Sequence, residues 1–416
     1  MTEFFPPVNS VASLRLYSFA KYWQCLNHEI TVITTLKESK PFDLNLDISS
    51  FLVIQIPVPF LPQPSKKNTN KQSGNTIRVI VFKKILKPIY DFIRNKTGCF
   101  SQRFPTFCDL WVKKCLKELD PFSFDIVLSS GGPYSVHRVG FALKQKNPKI
   151  KWVVDWRDLW TKNPYAKGFL LFHSYEKYLE KRFHDNADLI STVSDPLNGT
   201  LAKMTKTPVK TVYNGFDADN FKEICKTERK RTDFYTIVYT GSLYLQLQNP
   251  SPFFAAISRI KDMDRTLFDK VRIQFVGMNA DVKYFAKKYN VLEAYSFSGF
   301  LAHDEALKMQ YNADAVLFMD YNGTNGLPSG KLFEYINTAR KIIAIGNNPS
   351  SLAVEIIKKT NTGIFLGENI DLITEYLVSC INNTNKDIYE KNYEIINGYS
   401  RENQANRLFN YIQETL

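Results

Sequence analysis

Short runs rich in β-branched residues alternate with helical stretches along most of the chain, and that alternation limits the fold more than any other feature. After Pro7 the helical pattern "SLRLYSFAKYWQCL" leads into "EITVITT", and "FLVIQIPV", "FDIVLSSGGP", "KWVVDWRD" and "ADLISTVS" follow as further strands. Between the last three lie "SVHRVGFALKQK" and "FHSYEKYLEKRFHDN", both with helical spacing. Such a rhythm predicts α/β architecture with a doubly wound parallel sheet. A second alternating unit opens at "YTIVYTGSL" and continues through "VRIQFVG", "AYSFSGFL", "DAVLFMDYNG", "KIIAIG" and "TGIFLG", with helical segments between them. The polar stretch "FDADNFKEICKTERKRTD" separates the two and reads as a connection. With 416 residues there is length for a core in each half. The expected boundaries are an N-terminal domain over 1–215, a linker over 216–234, a C-terminal domain over 235–397 and an amphipathic helix over 398–416.

In sheets of this kind functional residues collect at the carboxyl ends of strands. That directs attention to "SSGGPYSVH", "DWRDLW", "TVSD" and, in the second half, "NGTNGLPSGKLFEYI" over residues 322–336. The last resembles a phosphate-binding P-loop but lacks two of its fixed points. Asn325 stands where the first glycine belongs, and Leu332 follows Lys331 where a hydroxyl residue would hold magnesium. A strand end feeding a helix that opens at Ser329 or Gly330 is still an anion site, because the first N–H groups of a helix have no partner within it.

The six cysteines (Cys25, Cys99, Cys108, Cys115, Cys225, Cys380) have no zinc spacing and read as reduced thiols of a cytoplasmic protein without a signal peptide. Hydrophobic residues at 44% and aromatics at 14% exclude general disorder. The apolar run "FLVIQIPVPFLP" is broken by Gln55 and three prolines, too short to cross a bilayer. Net charge is +13, and the stretch from Gln63 to Lys117 alone carries +11, with thirteen lysines and arginines against Asp91 and Asp109. Within it "NTNKQSGNT" reads as a loop.

Two open α/β domains with these motifs in this order resemble the GT-B glycosyltransferases, and family 4, the retaining group, fits best. The residues that carry the likeness are "FPPVNSVASLR", "SSGGPYSVH" and "DWRDLW" in the first half, then "YTGSLY", "VG", "FSGFL" and "KLFEY" in the second. The resemblance implies two Rossmann-like domains facing across a cleft, with the C-terminal helix crossing back to the N-terminal domain. It implies transfer of a sugar from a nucleotide diphosphate sugar, held by the C-terminal domain, to an acceptor held by the N-terminal one.

The same resemblance assigns roles to particular residues. Ser329, Gly330 and Lys331 face the diphosphate, Glu334 accepts from ribose hydroxyls, and Gly241 and Ser242 form the turn after the first C-terminal strand. Lys331 and Glu334, three apart, project to one helix face. Family members pair two glutamates eight positions apart; here Gly326 replaces the first, so that Asn325 or the backbone at Gly326 meets the donor sugar. Two cations usual in the loop after that strand are missing from "GSLYLQLQNPSP", which leaves Lys331, the helix start or Arg259 to compensate the diphosphate. The first N-terminal strand is reduced to "MTEFF", very short or lost, and Ser10 and Ala12 occupy positions that favour glycine.

His137 is expected beside the donor sugar, and Asp155 and Asp158 as catalytic carboxylates, with Ser13, Arg15 and Arg157 serving the acceptor or its loops. A structural ion pair at Asp155, Arg157 and Asp158 is the competing reading. His28, His173, His184 and His303 are taken as ordinary packing or capping histidines. "DMD" at residues 262–264 resembles the metal triplet of the other large glycosyltransferase fold but sits at a helix end, and neither a metal nor a cofactor is expected.

"TIRVIVFKKILKPIYDFIRNK", residues 76–96, interleaves aliphatic residues with six cations and reads as an interfacial helix on anionic lipid. A solvated helix packed on its own domain is the plainer reading. Nucleic acid is disfavoured as a partner because stacking aromatics and known binding motifs are missing. These readings converge on a transferase at the inner face of a bacterial membrane, acting on a lipid-linked or saccharide acceptor in surface polysaccharide synthesis. The alternative is a catalytically inactive GT-B scaffold at the membrane.

Overall fold

The computed structural model describes residues 1–37, 43–57, 105–132, 134–163, 170–226, 228–229, 232–277, 280–321, 329–384 and 390–415. The segment 76–96, the "NTNKQSGNT" stretch, and the donor candidates Asn325 and Gly326 lie outside them. The chain divides into two compact units, Met1–Tyr213 together with Ala405–Leu416, and Asn214–Gln404.

In the first unit, β1 (Thr31–Thr35) pairs in parallel with β2 (Leu52–Ile56), while β3 (Ile126–Ser130), β4 (Lys151–Trp156), β5 (Leu189–Thr192) and β6 (Val209–Thr211) form a parallel run in that order. Residues 1–2 form no assigned strand but hydrogen-bond to both sheets. Thr2 N–H donates to Ile33 C=O at 3.0 Å on one side, and Ser130 N–H donates to Met1 C=O at 3.0 Å on the other. Two residues thus stitch the β1–β2 pair to the β3–β6 run.

The helix Val11–Cys25 starts where Ser10, in extended conformation, accepts from Ser13 N–H at 3.1 Å. Such a cap contributes about 1 kcal/mol. The "VASLR" part of the expected loop is therefore helical. The final helix, Arg401–Gln413, brings Ala405, Leu408, Phe409 and Ile412 into the core of the first unit beside Phe19, Trp23 and Val153. The Trp23 indole N–H donates to Ala405 C=O at 2.9 Å.

The second unit holds β7 (Tyr235–Thr240), β8 (Val271–Val276), β9 (Tyr295–Gly299), β10 (Ala315–Met319), β11 (Lys341–Ile345) and β12 (Gly363–Gly367). All pair in parallel, in the order β12-β11-β10-β7-β8-β9. Every residue of β10 is buried, as expected for a central strand covered on both faces. Phe253 and Phe254 of the helix Ser251–Met263 are fully buried on one face, Phe254 stacked on Tyr295 with centroids 4.9 Å apart. Each such ring stabilises the fold by about 1.5–3 kcal/mol through apolar burial.

The stretch read as a linker over 216–234 contains a helix, Ala218–Cys225, capped by Asp217 and burying Phe221 and Ile224. Two apolar residues three apart are enough to seat two helical turns, although the surrounding charge hides the period. It belongs to the second unit, which begins at Asn214.

Candidate donor site and the N-terminal strand ends

The sheet order of the second unit reverses direction between β7 and β10, which are neighbours in space although β8 and β9 intervene in sequence. Such a switch point leaves a crevice at the carboxyl ends of the two strands. Expected donor residues from both β7 and the helix Gly330–Asn337 meet there. Gly241 follows β7 with φ of +97°, and a Cβ on it would come within 3.4 Å of Lys331 Nζ. Lys331, in the first turn of the helix Gly330–Asn337, donates to the Tyr239 phenol oxygen at 2.6 Å, its Nζ 3.9 Å from the ring centroid. Burial pushes the Lys331 ammonium down to about 7, against the opposing pull of Glu334. Ser329, the residue before the helix, makes no side-chain cap, and Ser242 accepts from the Tyr239 phenol through its backbone carbonyl at 3.0 Å.

Glu334 is held on both oxygens. His303 Nε2 lies 2.9 Å from Oε1, and Gln310 Nε2 donates to Oε2 at 3.4 Å. Burial would raise this carboxyl, but His303 and Arg401 hold it below the ordinary carboxylate range, and Glu334 in turn raises His303 against the effect of burial. Gln310 also donates to Thr240 Oγ1 at 3.1 Å, and the Tyr335 phenol accepts from Thr240 N–H at 2.8 Å. A continuous network therefore ties Glu334 to the end of β7. His303, taken from the sequence as ordinary, is a partner of the main donor candidate. The signal was present in the spacing: His303 and Gln310 stand seven apart on the helix His303–Asn312, hence on one face.

The loop after β7 is a built element despite its missing cations. Gln248, buried, donates to Met319 C=O at 2.6 Å and accepts from Tyr244 N–H at 2.9 Å, so the loop is tied to the end of β10. Arg259 does not reach this crevice; it is ion-paired with Asp371 at the surface. Asp264 of "DMD" accepts from Leu267 N–H at 3.0 Å as a helix cap. No cluster of three or more His, Cys, Asp or Glu suited to a metal occurs among the described residues.

In the first unit the expected residues gather at the ends of β3 and β4 but divide into two sets. Asp155 is completely buried and accepts four hydrogen bonds: from Arg15 Nε at 3.1 Å and Arg15 Nη2 at 2.8 Å, from Ser130 Oγ at 2.7 Å, and from Ser191 Oγ at 2.8 Å. A carboxylate offers about four acceptor sites. All are taken up by Arg15, Ser130 and Ser191, as in the competing reading of a structural ion pair. Burial would raise its pKa, and the Arg15 guanidinium and the two hydroxyls hold it below the ordinary range. Arg15, equally buried, spends Nη1 on Val212 C=O at 2.7 Å and Tyr213 C=O at 3.0 Å. The pair locks the helix Val11–Cys25 to β3, β4, β5 and the exit of β6. Ser13 is buried with its Oγ 2.9 Å from Ser10 Oγ, a capping contact.

The second set surrounds the glycine turn. Arg157 donates from Nε to Gly131 C=O at 2.7 Å and from Nη2 to Gly132 C=O at 3.0 Å. His137 is fully buried beneath that turn, its Nδ1 2.9 Å from Ser129 Oγ and its ring 4.3 Å from that of Trp156. A Cβ on Gly131 would come 2.4 Å from His137 Nε2, so the imidazole packs where only glycine leaves room. Burial pushes its pKa down to about 3, and the ring is neutral at physiological pH. Asp158 is exposed just beyond β4.

Residues 71–220 match the family model described as Glycosyltransferase Family 4. No curated protein matches the chain. Among solved structures it is similar to the sucrose-phosphate synthase of Thermosynechococcus elongatus, at 11% identity and TM-score 0.58, covering 97% of this chain and 93% of that one. Trehalose-6-phosphate synthase OtsA aligns at 9% identity and TM-score 0.61 over 99% and 97% of the two chains. WaaG, a glycosyltransferase involved in lipopolysaccharide biosynthesis, aligns at 12% identity and TM-score 0.52 over 99% and 94%. Identities this low carry the fold alone, and the family match over 71–220 is separate from them. The chain therefore has the GT-B fold of these structures, and its residues 71–220 are similar to Glycosyltransferase Family 4.

Proposed function

We propose that this protein transfers a sugar from a nucleotide diphosphate sugar to a saccharide acceptor with retention at the anomeric carbon, and that the second unit holds the donor. The observation that carries the reading is the switch-point crevice. It places a half-buried lysine amine, a Cβ-free turn at Gly241 and an uncapped helix start side by side. A departing diphosphate develops negative charge, and oriented N–H groups with a cation stabilise it without reorganisation. Glu334, fixed by His303 and Gln310, keeps acceptor capacity for a pair of vicinal hydroxyls such as those of ribose. Asn325 and Gly326 are assigned to the donor sugar on the family spacing.

The proton of the acceptor hydroxyl goes to a diphosphate oxygen, so that the protein supplies no general base. The saturation of Asp155 is consistent with this. His137 is assigned to shaping the Gly131–Gly132 turn, with Arg157 and Asp158 at its rim available to an acceptor. The acceptor is proposed to be lipid-linked, in bacterial surface polysaccharide synthesis, with residues 76–96 attaching the protein to anionic lipid. No described helix is long and apolar enough to cross a membrane.

A thermal-shift and calorimetric screen of UDP, GDP and their sugar conjugates tests the donor assignment, because a ligand that binds the native state raises its unfolding midpoint. A rise with one nucleotide series supports it. No shift with any of them favours the second reading, a GT-B scaffold without transfer, which the Arg259–Asp371 pairing and the cation-free loop after β7 speak for.

A further inference from the structure

The loop after β7 carries no cation near the crevice, but it carries a tyrosine whose ring stands outward from a fixed backbone. Tyr244 is 52% exposed, although its backbone is held on both sides. Its N–H donates to Gln248 Oε1 at 2.9 Å, and its C=O accepts from Leu247 and Gln248 N–H at 2.8 Å each. Gln248 is itself anchored on Met319 C=O. Across the crevice, Tyr321 follows Asp320 at the end of β10. Its N–H donates to Asp320 Oδ1 at 2.8 Å, and Ser351 Oγ donates to the other carboxylate oxygen. Gly346 makes room for this arrangement, since a Cβ there would stand 3.0 Å from Asp320 Cβ. The two tyrosine rings lie 6.5 Å apart at 52°. Both phenols are also close enough to Tyr239, the residue under Lys331, to contribute to the elevation of its pKa, which burial chiefly causes.

Two rigidly mounted aromatic rings on the two sides of a switch point, within electrostatic reach of the only crevice lysine among the described residues, suit a ligand with one apolar face and several hydroxyls. A pyranose has such a face, formed by its axial C–H groups. We infer that Tyr244 and Tyr321 form an aromatic platform on which the pyranose ring of the donor stacks, positioned by the diphosphate on Lys331. The inference rests on the donor reading above. It also accounts for the cation-free loop, which contributes to the sugar rather than to the phosphates, so that the sugar-dependent part of donor affinity is carried by ring faces.

The test is isothermal titration of the full chain and of Tyr244→Ala, Tyr321→Ala, Tyr244→Phe and Tyr321→Phe with UDP, UDP-glucose, GDP and GDP-mannose. The quantity read is the ratio of the diphosphate Kd to the Kd of its sugar conjugate. Loss of one ring is expected to lower this ratio by roughly 3- to 10-fold, in the range that aromatic contacts contribute. The Phe variants are expected to keep it, and affinity for the bare diphosphate is expected to stay constant throughout, which also certifies folding. An unchanged ratio in both Ala variants, or Phe variants that behave like Ala, overturns the platform while leaving the donor site standing. Failure of the unaltered protein to bind either nucleotide series removes the donor reading and the platform with it.

Discussion

If Lys331 meets the donor diphosphate, nucleotide-sugar binding must take up a proton above neutral pH. Burial against Tyr239 lowers the Lys331 ammonium from an ordinary 10.5 to about 7. At pH 8 the free protein therefore holds this amine about nine-tenths neutral, whereas a bound diphosphate restores the charged form. Binding should take up ~0.9 proton at pH 8, and affinity should fall roughly 10-fold per pH unit above 7. Between pH 7 and 9 the loss is about 50-fold, or ~2.3 kcal/mol. A nucleotide sugar is the proper probe, because its diphosphate is a diester with no titration in that window. Titration calorimetry at pH 8 in buffers of different ionisation enthalpy reads the proton directly. Lys331→Arg, which stays charged, should flatten the profile. Stability runs in the opposite sense. The folded pKa lies below the unfolded one, so the unfolded chain binds more protons between about 7 and 10.5, and the contribution of this group to stability rises with pH across that range. A flat Kd from pH 7 to 9 with no buffer dependence refutes the placement of the diphosphate on Lys331.

Glu334→Gln should weaken nucleotide-sugar binding by 10-fold or more, and a double-mutant cycle with His303→Ala should return a coupling of about 0.5–3 kcal/mol, since the two groups share one contact; additivity argues that His303 does not position the carboxylate. Asp155→Asn leaves the Arg15 charge buried and should cost about 3–5 kcal/mol, read as a lower urea midpoint at constant m-value; a near-neutral result means that the pair is not a lock. Neutralising Lys83, Lys84 and Lys87 should reduce affinity for anionic vesicles by roughly 100-fold at about 1 kcal/mol each, with UDP-sugar affinity unchanged; equal vesicle binding removes the membrane assignment of 76–96.

The sheets were legible in the sequence because strand and helix periods alternate sharply, and the glycine turns at Gly131 and Gly241 marked where strands ended. That Lys331 and Glu334 share one short helix was legible for the same reason. What did not show was any relation that depends on two distant stretches arriving together. Arg15 and Asp155 are 140 positions apart, and the sequence offers no means of seeing that Ser130 and Ser191 fill the remaining acceptor sites of that carboxylate. A strand-end aspartate looks the same whether it faces substrate or is saturated from within. His303 failed in the opposite direction, since its spacing to Gln310 was readable but its partner 31 residues away was not. Tyr244 was hidden more thoroughly. Against a family pattern its loop registers only as two absent cations, and the positive content, a tyrosine braced by Gln248 against the end of β10, exists only once β7 and β10 lie side by side. A family motif records that two cations are missing from this loop, but only the packing of β7 beside β10 shows that a tyrosine stands in their place.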